Sequence, residues 1–498
     1  METQQYLSFT VPAAVSGINA RDPIDSMQPS EALQLCNLIP DGRNLKLRKG
    51  YTEHSTASSS AVRGLFTYTT GAGVSKLVAT ANNKIYDVST SSSSDITGST
   101  TPTSNDWQAV QFRTRLILVN GADQPQQYDG STVSDAAYTG ITDDSTLVHV
   151  TSFKSRLYFV EKDSTSVWYG GVNNITGALT ELDVGSIFQR GGSIEFCEQF
   201  TEDKATTTNN LFIIVSSQGE LLAYDGDFPG GVWRLIGRHF IGRPVGRRAF
   251  IRLENDLWII TDRGLVPVSG LFQTTGSLAS ETISRKINPL INAQVMSSGT
   301  VSGWCGEYLP SERLAVINAP YASDGDAIQY VLNIETGAWT TFQGFAATCL
   351  RSHDGAFYFS NGSGKIFRGL NGKSDNGNPI QFIAQNSFQF FGDRGRYKNF
   401  IDARPLLRGG DDLTVGVEID TDFAFNTLTD FPTVTNASTT PWGSSWGSPW
   451  ATNTGYTFKR LSLRGQGHSG SIKVYGSAQE INLELNATEV RYKKGTQV

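Results

Sequence analysis

The feature that most constrains this chain is a phrase it writes repeatedly between Val62 and Gly369. Each copy has an apolar strand, a tight turn, a second strand led by a large apolar residue, another turn, and a third strand near Tyr or Trp. SRLYFVEKDSTSVWYGG (155–171) is a clear copy. TRLILVNGADQPQQYDG (114–130), NNLFIIVSSQGELLAYDG (209–226), NDLWIITDRGLVPVSG (255–270) and GAFYFSNGSGKIFRG (355–369) keep the same order. The residues leading the second strands are Leu77, Leu116, Leu157, Leu211, Leu257, Leu314 and Phe357, spaced 39, 41, 54, 46, 57 and 43 residues apart. Four-stranded propeller blades repeat at roughly 40–50 residues. A lone meander cannot bury both faces, whereas a radial arrangement covers the faces and protects the edges. Residues 62–372 are therefore expected to form an all-β propeller of six or seven blades. A long sandwich would use similar short strands, but the recurring order of strand types favours blades.

Composition agrees: 51 glycines, 18% charged and 11% aromatic residues suit short strands and tight turns. The longer steps hold expected insertions at 173–192 and 272–299. The second should carry a short helix near Glu281 to Val295, limited or interrupted by Pro289. NGKSDNGN (371–378) reads as a joint. Beyond it, residues 379–498 are expected to form a C-terminal antiparallel β-sandwich. Residues 1–61 read as an extended N-terminal arm that lies on another surface. Deleting residues 1–50 should then leave a foldable chain that assembles poorly.

The chemistry-bearing residues form no recognisable site. The four cysteines, Cys36, Cys197, Cys305 and Cys349, never form CxxC, and the five histidines show no HExxH spacing. GxSxG and GxxxxGK[ST] are absent. A propeller glycosidase would need paired carboxylates across a cleft. Asp163, Asp225, Asp227, Asp262, Asp324 and Asp326 sit near hairpin turns, where Asp caps its own backbone. No catalytic residue, cofactor or metal is expected. A net charge of −6 argues against nucleic-acid binding through a broad basic face. The first residues lack the basic start and apolar run of a signal peptide, and no run approaches a membrane span. Two stretches are candidate interfaces. PWGSSWGSPW (441–450) places Trp442, Trp446 and Trp450 on their own sandwich, at a subunit contact or, as a third reading, on a sugar platform. GRHFIGRPVGRR (237–248) holds four arginines, among them Arg243, Arg247 and Arg248, suited to a solvated turn or to a neighbour's acids or phosphates.

GINARDPIDSMQPSEALQLCNLIPDGRNLKLRKGY (17–51) resembles the opening of the tail nozzle, or tail hub, proteins of short-tailed bacteriophages, also called packaged-DNA stabilisation proteins. Those openings run G-[IL]-N-x-R-D-P, then L-x-N-L-x-P-D, then R-x-G-[YF]. VWYGGVNNITGALTELDVGSIFQRGGSI (167–194), the Trp-rich loop and the final VRYKKG (490–495) are similar to phrases of the same family. The resemblance implies a structural virion protein of the tail, made in the host bacterial cytoplasm, with no enzyme activity and no lipid anchor. It implies a homo-oligomer, a hexameric ring, that continues the DNA channel below the portal. Its implied partners are the tail adaptor (the head-to-tail connector), tail fibres or spikes, and genomic double-stranded DNA that passes without tight binding. The alternatives are a receptor-binding or fibre-attachment virion protein and, from another class, a propeller glycosidase.

Overall fold

The computed structural model describes residues 6–204, 207–273, 282–320, 327–409, 414–424, 456–457 and 460–495. The chain divides into two compact units. One holds Glu53–Ile328 and Phe345–Arg368; the other holds Met1–Thr52, Gln329–Gly344 and Gly369–Val498.

The first unit is a β-propeller. Seven inner strands follow in chain order: β1 (Val62–Thr69), β2 (Gln108–Phe112), β3 (Leu147–Phe153), β4 (Ile194–Lys204), β5 (Phe250–Arg252), β6 (Cys305–Leu309) and β7 (Cys349–His353). Each pairs antiparallel with the strand that follows it. Leu77, Leu116, Leu157, Leu211, Leu257, Leu314 and Phe357 all lie in those second strands and all are buried. The equivalence read from spacing therefore holds at every copy, and the described residues give seven blades. The turns explain the periodic charge between first and second strands. Lys154 and Ser155 take φ +45° and +60°, and Asp354 and Gly355 take +50° and +72°. A two-residue hairpin turn whose twist matches the strands needs positive φ at both positions.

Apolar clusters hold neighbouring blades together. Phe66, Tyr68, Val78 and Ile85 of the first blade pack with Leu116, Leu118 and Tyr128 of the second. Phe112 and Ile117 pack with Val150, Leu157 and Phe159 of the third. Similar clusters join the third blade to the fourth and the fourth to the fifth. Val62, Leu65 and Leu77 pack with Cys349 and Ile366 of the seventh blade, so the ring closes on itself. An early segment completes the closure: the Ala57 N–H donates to Gly364 O at 2.9 Å, and Lys365 pairs with Glu53 at 2.7 Å.

The expected insertion at 173–192 is partly blade. Thr180–Asp183 is the fourth strand of the third blade, and Gly177–Ala178 pairs in parallel with Tyr138–Thr139. In the second insertion the helix is Asn288–Ser298, and Pro289 stands in its first turn. Proline opens this helix instead of interrupting it, because the first N–H groups lack intrahelical partners anyway. Among the described residues no helix is long and apolar enough to cross a membrane.

The second unit is the sandwich, and it includes most of the expected arm. Ala32–Cys36 runs antiparallel to Ile380–Asn386, and Cys36 pairs in parallel with Thr341. Ile380–Asn386 continues to Gly470–Ala478, which pairs with Thr414–Thr421. In the facing sheet Glu484–Lys494 pairs with Lys398–Arg408 on one side and with Leu7–Pro12 on the other. Phe391, buried in the loop after Ile380–Asn386, packs on this second sheet, 5.0 Å from Phe400, 5.7 Å from Tyr492 and 5.2 Å from Phe9 by ring centroids. The surface on which these early strands lie is therefore this chain's own sandwich. This overturns the expectation for the 1–50 deletion, which removes strands from both sheets. The truncated chain should lose the sandwich's unfolding transition in a denaturant titration while the propeller's remains.

The residues of the 17–51 phrase do structural work. Gly17 takes φ +76°, and a Cβ there would sit 2.5 Å from the Trp339 backbone nitrogen. Asn19 accepts the Arg21 and Asp22 N–H groups, both at 3.1 Å, closing a turn. Asn37, at φ +59°, accepts from Arg48 Nε at 2.8 Å and from the Gln343 N–H at 2.9 Å. Arg48 is fully buried and donates through all five of its N–H groups. Its acceptors are Asn37 Oδ1, Lys49 O, Gln343 O and both oxygens of Asp375, the last two at 2.7 Å. Gly50 is required by proximity, since a Cβ would lie 1.9 Å from Ser374 O.

Candidate functional site on the propeller axis

The inner strands of a propeller bring one or two side chains per blade to a common axis. Here they enclose a cavity of about 210 Å³, and its polar lining is charged. His149 from β3, Arg252 from β5, Glu307 from β6 and Arg351 from β7 meet there, with Arg248 from the turn before β5. Glu198 from β4, fully buried, lies behind Arg252.

Glu198 and Arg252 form a two-point pair. Arg252 Nε donates to Oε2 at 3.1 Å and Nη2 donates to Oε1. His149 Nε2 bonds to Cys197 O at 2.9 Å and stands 3.6 Å from Glu198 Oε1. Burial alone would raise the Glu198 carboxyl, but Arg252 and His149 outweigh it and hold it below its ordinary value. Glu307 has the opposite balance. Burial pushes it up, and Arg351, the Ser352 N–H and Arg252 offset this only in part. Its Oε1 accepts the Ser352 N–H at 2.9 Å, while Oε2 stands 3.9 Å from Arg351 Nη1. Arg351 Nη2 reaches Thr67 Oγ1 of β1 at 3.1 Å.

These charges should be visible in stability. Glu198→Gln leaves Arg252 without its counter-charge. Breaking a buried pair costs about 3–5 kcal/mol. Arg252 is 44% exposed, so about 2–3 kcal/mol is expected here. A carboxyl held below its unfolded value stabilises the fold above that value, about 4.3 for Glu, and loses this as pH falls through the folded pKa. The melting-temperature gap between wild type and Glu198→Gln should therefore narrow below about pH 4. A gap constant with pH would refute the assignment. Glu307→Gln should instead raise the melting temperature at neutral pH, since ionising Glu307 in the fold opposes stability.

The arginines of 237–248 separate. Arg243 is exposed, and its backbone N–H donates to Asp262 Oδ1 at 2.9 Å. Arg247 is half-buried beside Glu195. Arg248 is not available as an outer contact. Its guanidinium turns to the axis and donates to Arg63 O and Trp107 O, tying the first two blades. Trp442, Trp446 and Trp450 lie outside the described residues, as do Asp324 and Asp326. Asp163 behaves as the expected turn residue, at φ +52°, whereas Asp225 lies within the strand Glu220–Gly226 and pairs across it with Arg234 at 3.4 Å. All four cysteines are free and buried; burial pushes Cys305 up to about 12 and Cys36 to about 11, which makes them poor nucleophiles at neutral pH. Among the described residues no group of three or more His, Cys, Asp or Glu could hold a metal ion. Sequence reasoning missed the axial cluster because its members lie one per blade. The available signal was a charged residue in or beside an inner strand, as in FCEQF, FIRLE, CGEYL and CLRSH.

No protein-family model and no curated protein sequence matches the chain. Solved structures match at low identity. The computationally designed Ika8 protein gives a TM-score of 0.37 at 13% identity, over 64% of this chain and 99% of that one. YCF48 bound to D1 peptide gives 0.38 at 10%, over 64% and 95%. BamB from Moraxella catarrhalis gives 0.36 at 11%, over 66% and 92%. The propeller assignment rests on the sheet order and on the interblade cores described above.

Proposed function

We propose that the chain is a structural subunit of a short bacteriophage tail, the nozzle or hub. It forms a homo-oligomeric ring, six copies in this reading, that continues the DNA channel below the portal and adaptor. The ring retains the packaged genome and lets it pass at ejection. The carrying observation is the 17–51 phrase: the residues of its resemblance, Gly17, Asn19, Asn37, Arg48 and Gly50, each hold a turn or close approach in the sandwich. Two further observations support the reading. The axial charges of the propeller largely answer one another, as expected of a rigid support. The outer strand of the fourth blade, Trp233–Phe240, leaves Leu235 and Ile236 39% exposed beside Val232 at 72%. An unpaired apolar edge of this kind is a surface for a neighbour to cover.

A conduit should hold DNA weakly, because strong phosphate contacts would slow its passage. Binding of free duplex DNA to the full chain at low salt is expected to be weak. Tight, steeply salt-dependent binding would contradict the conduit and favour a DNA-gripping role.

A further inference from the structure

We propose that the seam closing the propeller between its seventh and first blades is an acid-sensitive latch whose sensor is His353. The fourth strand of the seventh blade is Tyr51–Thr56, and from Glu53 onward it belongs to the propeller unit. On it, His54 Nε2 bonds to Val88 O of the first blade at 3.0 Å. Ala57 packs with Val62, Leu77 and Val88 of the first blade and with Cys349 and Ile366 of the seventh. Tyr358 packs on the same cluster. Its ring has His54 at 5.0 Å and His353 at 5.9 Å, both edge-on. His353, the last residue of β7, is 8% exposed.

Nδ1 of His353 is buried and has no hydrogen-bond partner among the described residues. A neutral ring can leave that nitrogen without a hydrogen, whereas imidazolium carries one on both nitrogens. Protonation therefore creates a buried donor with no acceptor. The groups around the ring do not make good the loss. Arg351 on the same strand and His54 on the fourth strand oppose a further positive charge, while Asp354 in the turn and Asp87 of the first blade favour it. Asp354 is exposed, and Asp87 is already engaged by Lys76 at 2.7 Å and by the Ser89 N–H at 3.0 Å. Burial is the largest influence, and it holds the imidazole below its ordinary value. The unfolded chain thus takes the proton more readily than the fold does. His353 leaves the seam intact above about pH 6.5 and weakens it as pH falls below that value. Glu195 and Glu307, held high by burial, act with the opposite sign. Tyr51–Thr56 is the element to open, since it is the outer strand of its blade and local opening starts from such edges.

Hydrogen–deuterium exchange of the full chain, read by mass spectrometry at about pH 7.5 and about pH 5.5, brackets the imidazole and tests this. Each rate is divided by that of the unstructured peptide at the same pH. Protection over 53–62 should fall by roughly tenfold or more at the lower pH, the effect of a buried donor left unpaired. Protection over 116–128, in the core between the first and second blades that contains no histidine, should not change. His239 is also held low by burial, so the comparison of variants is made at the seam itself. His353→Phe keeps a ring and cannot take a proton, so its seam should not respond to pH. His353→Gln serves if the phenylalanine variant does not fold. An unchanged wild-type seam, an equal fall over both stretches, or a wild-type response in the folded variants overturns the proposal.

Discussion

Arg48→Ala is expected to destabilise the sandwich unit by about 3–5 kcal/mol, because it strands a carboxylate within the fold. Asp375 would lose both of its 2.7 Å charged hydrogen bonds, and Asn37 Oδ1, Lys49 O and Gln343 O would each lose a donor. Arg48→Lys should not rescue it. An ammonium has three donors and cannot span five acceptor atoms in a plane. Denaturant titration followed by tryptophan fluorescence and circular dichroism reads the effect. The two units can unfold separately, so the sandwich transition is the one to follow. A loss below about 1 kcal/mol would mean that water or relaxed neighbours replace the guanidinium, and that this knot is not what holds the segment.

Leu157→Asp is expected to prevent the propeller from closing. Leu157 is 1% exposed, among Phe112, Ile117, Val150 and Phe159 between the second and third blades. Burying an unpaired carboxylate there costs several kcal/mol, and the lost apolar contacts add to it. The sum, on the order of 5 kcal/mol, is comparable with the whole stability of many domains. Leu157→Ala is the graded control, at about 2–5 kcal/mol. A soluble Leu157→Asp protein with wild-type circular dichroism would show that this blade interface is not cooperative with the rest.

The repeat was legible because one physical requirement recurs seven times. The second strands are buried over most of their length, so each is led by a residue such as Leu116 or Leu257, and hairpin turns such as Lys154–Ser155 need residues that accept positive φ. The fate of residues 1–52 was not legible. Ala32–Cys36 is short and mixes Gln with Leu, and its partners, Thr341 and Ile380–Asn386, are some 300 residues away. Local pattern carries no information on such pairing. Arg48 illustrates the same limit: in RNLKLRKGY it looks like a solvated charge, and only its distant partner Asp375 makes it a core residue. The axial cluster escaped notice for a related reason, since Glu198, Arg252, Glu307 and Arg351 converge only when the ring closes. Pro289 limits the helix at its start instead of interrupting it; the sequence left both open because a helix start and a helix break use the same residue.

The central claim is that this chain works as a ring subunit around a channel. Imaging of the full chain in solution by electron microscopy, with its mass measured in parallel, tests it most directly. The account predicts closed rings of six copies with an open bore on the common axis. A monodisperse monomer, or a trimer with no central bore, would contradict it.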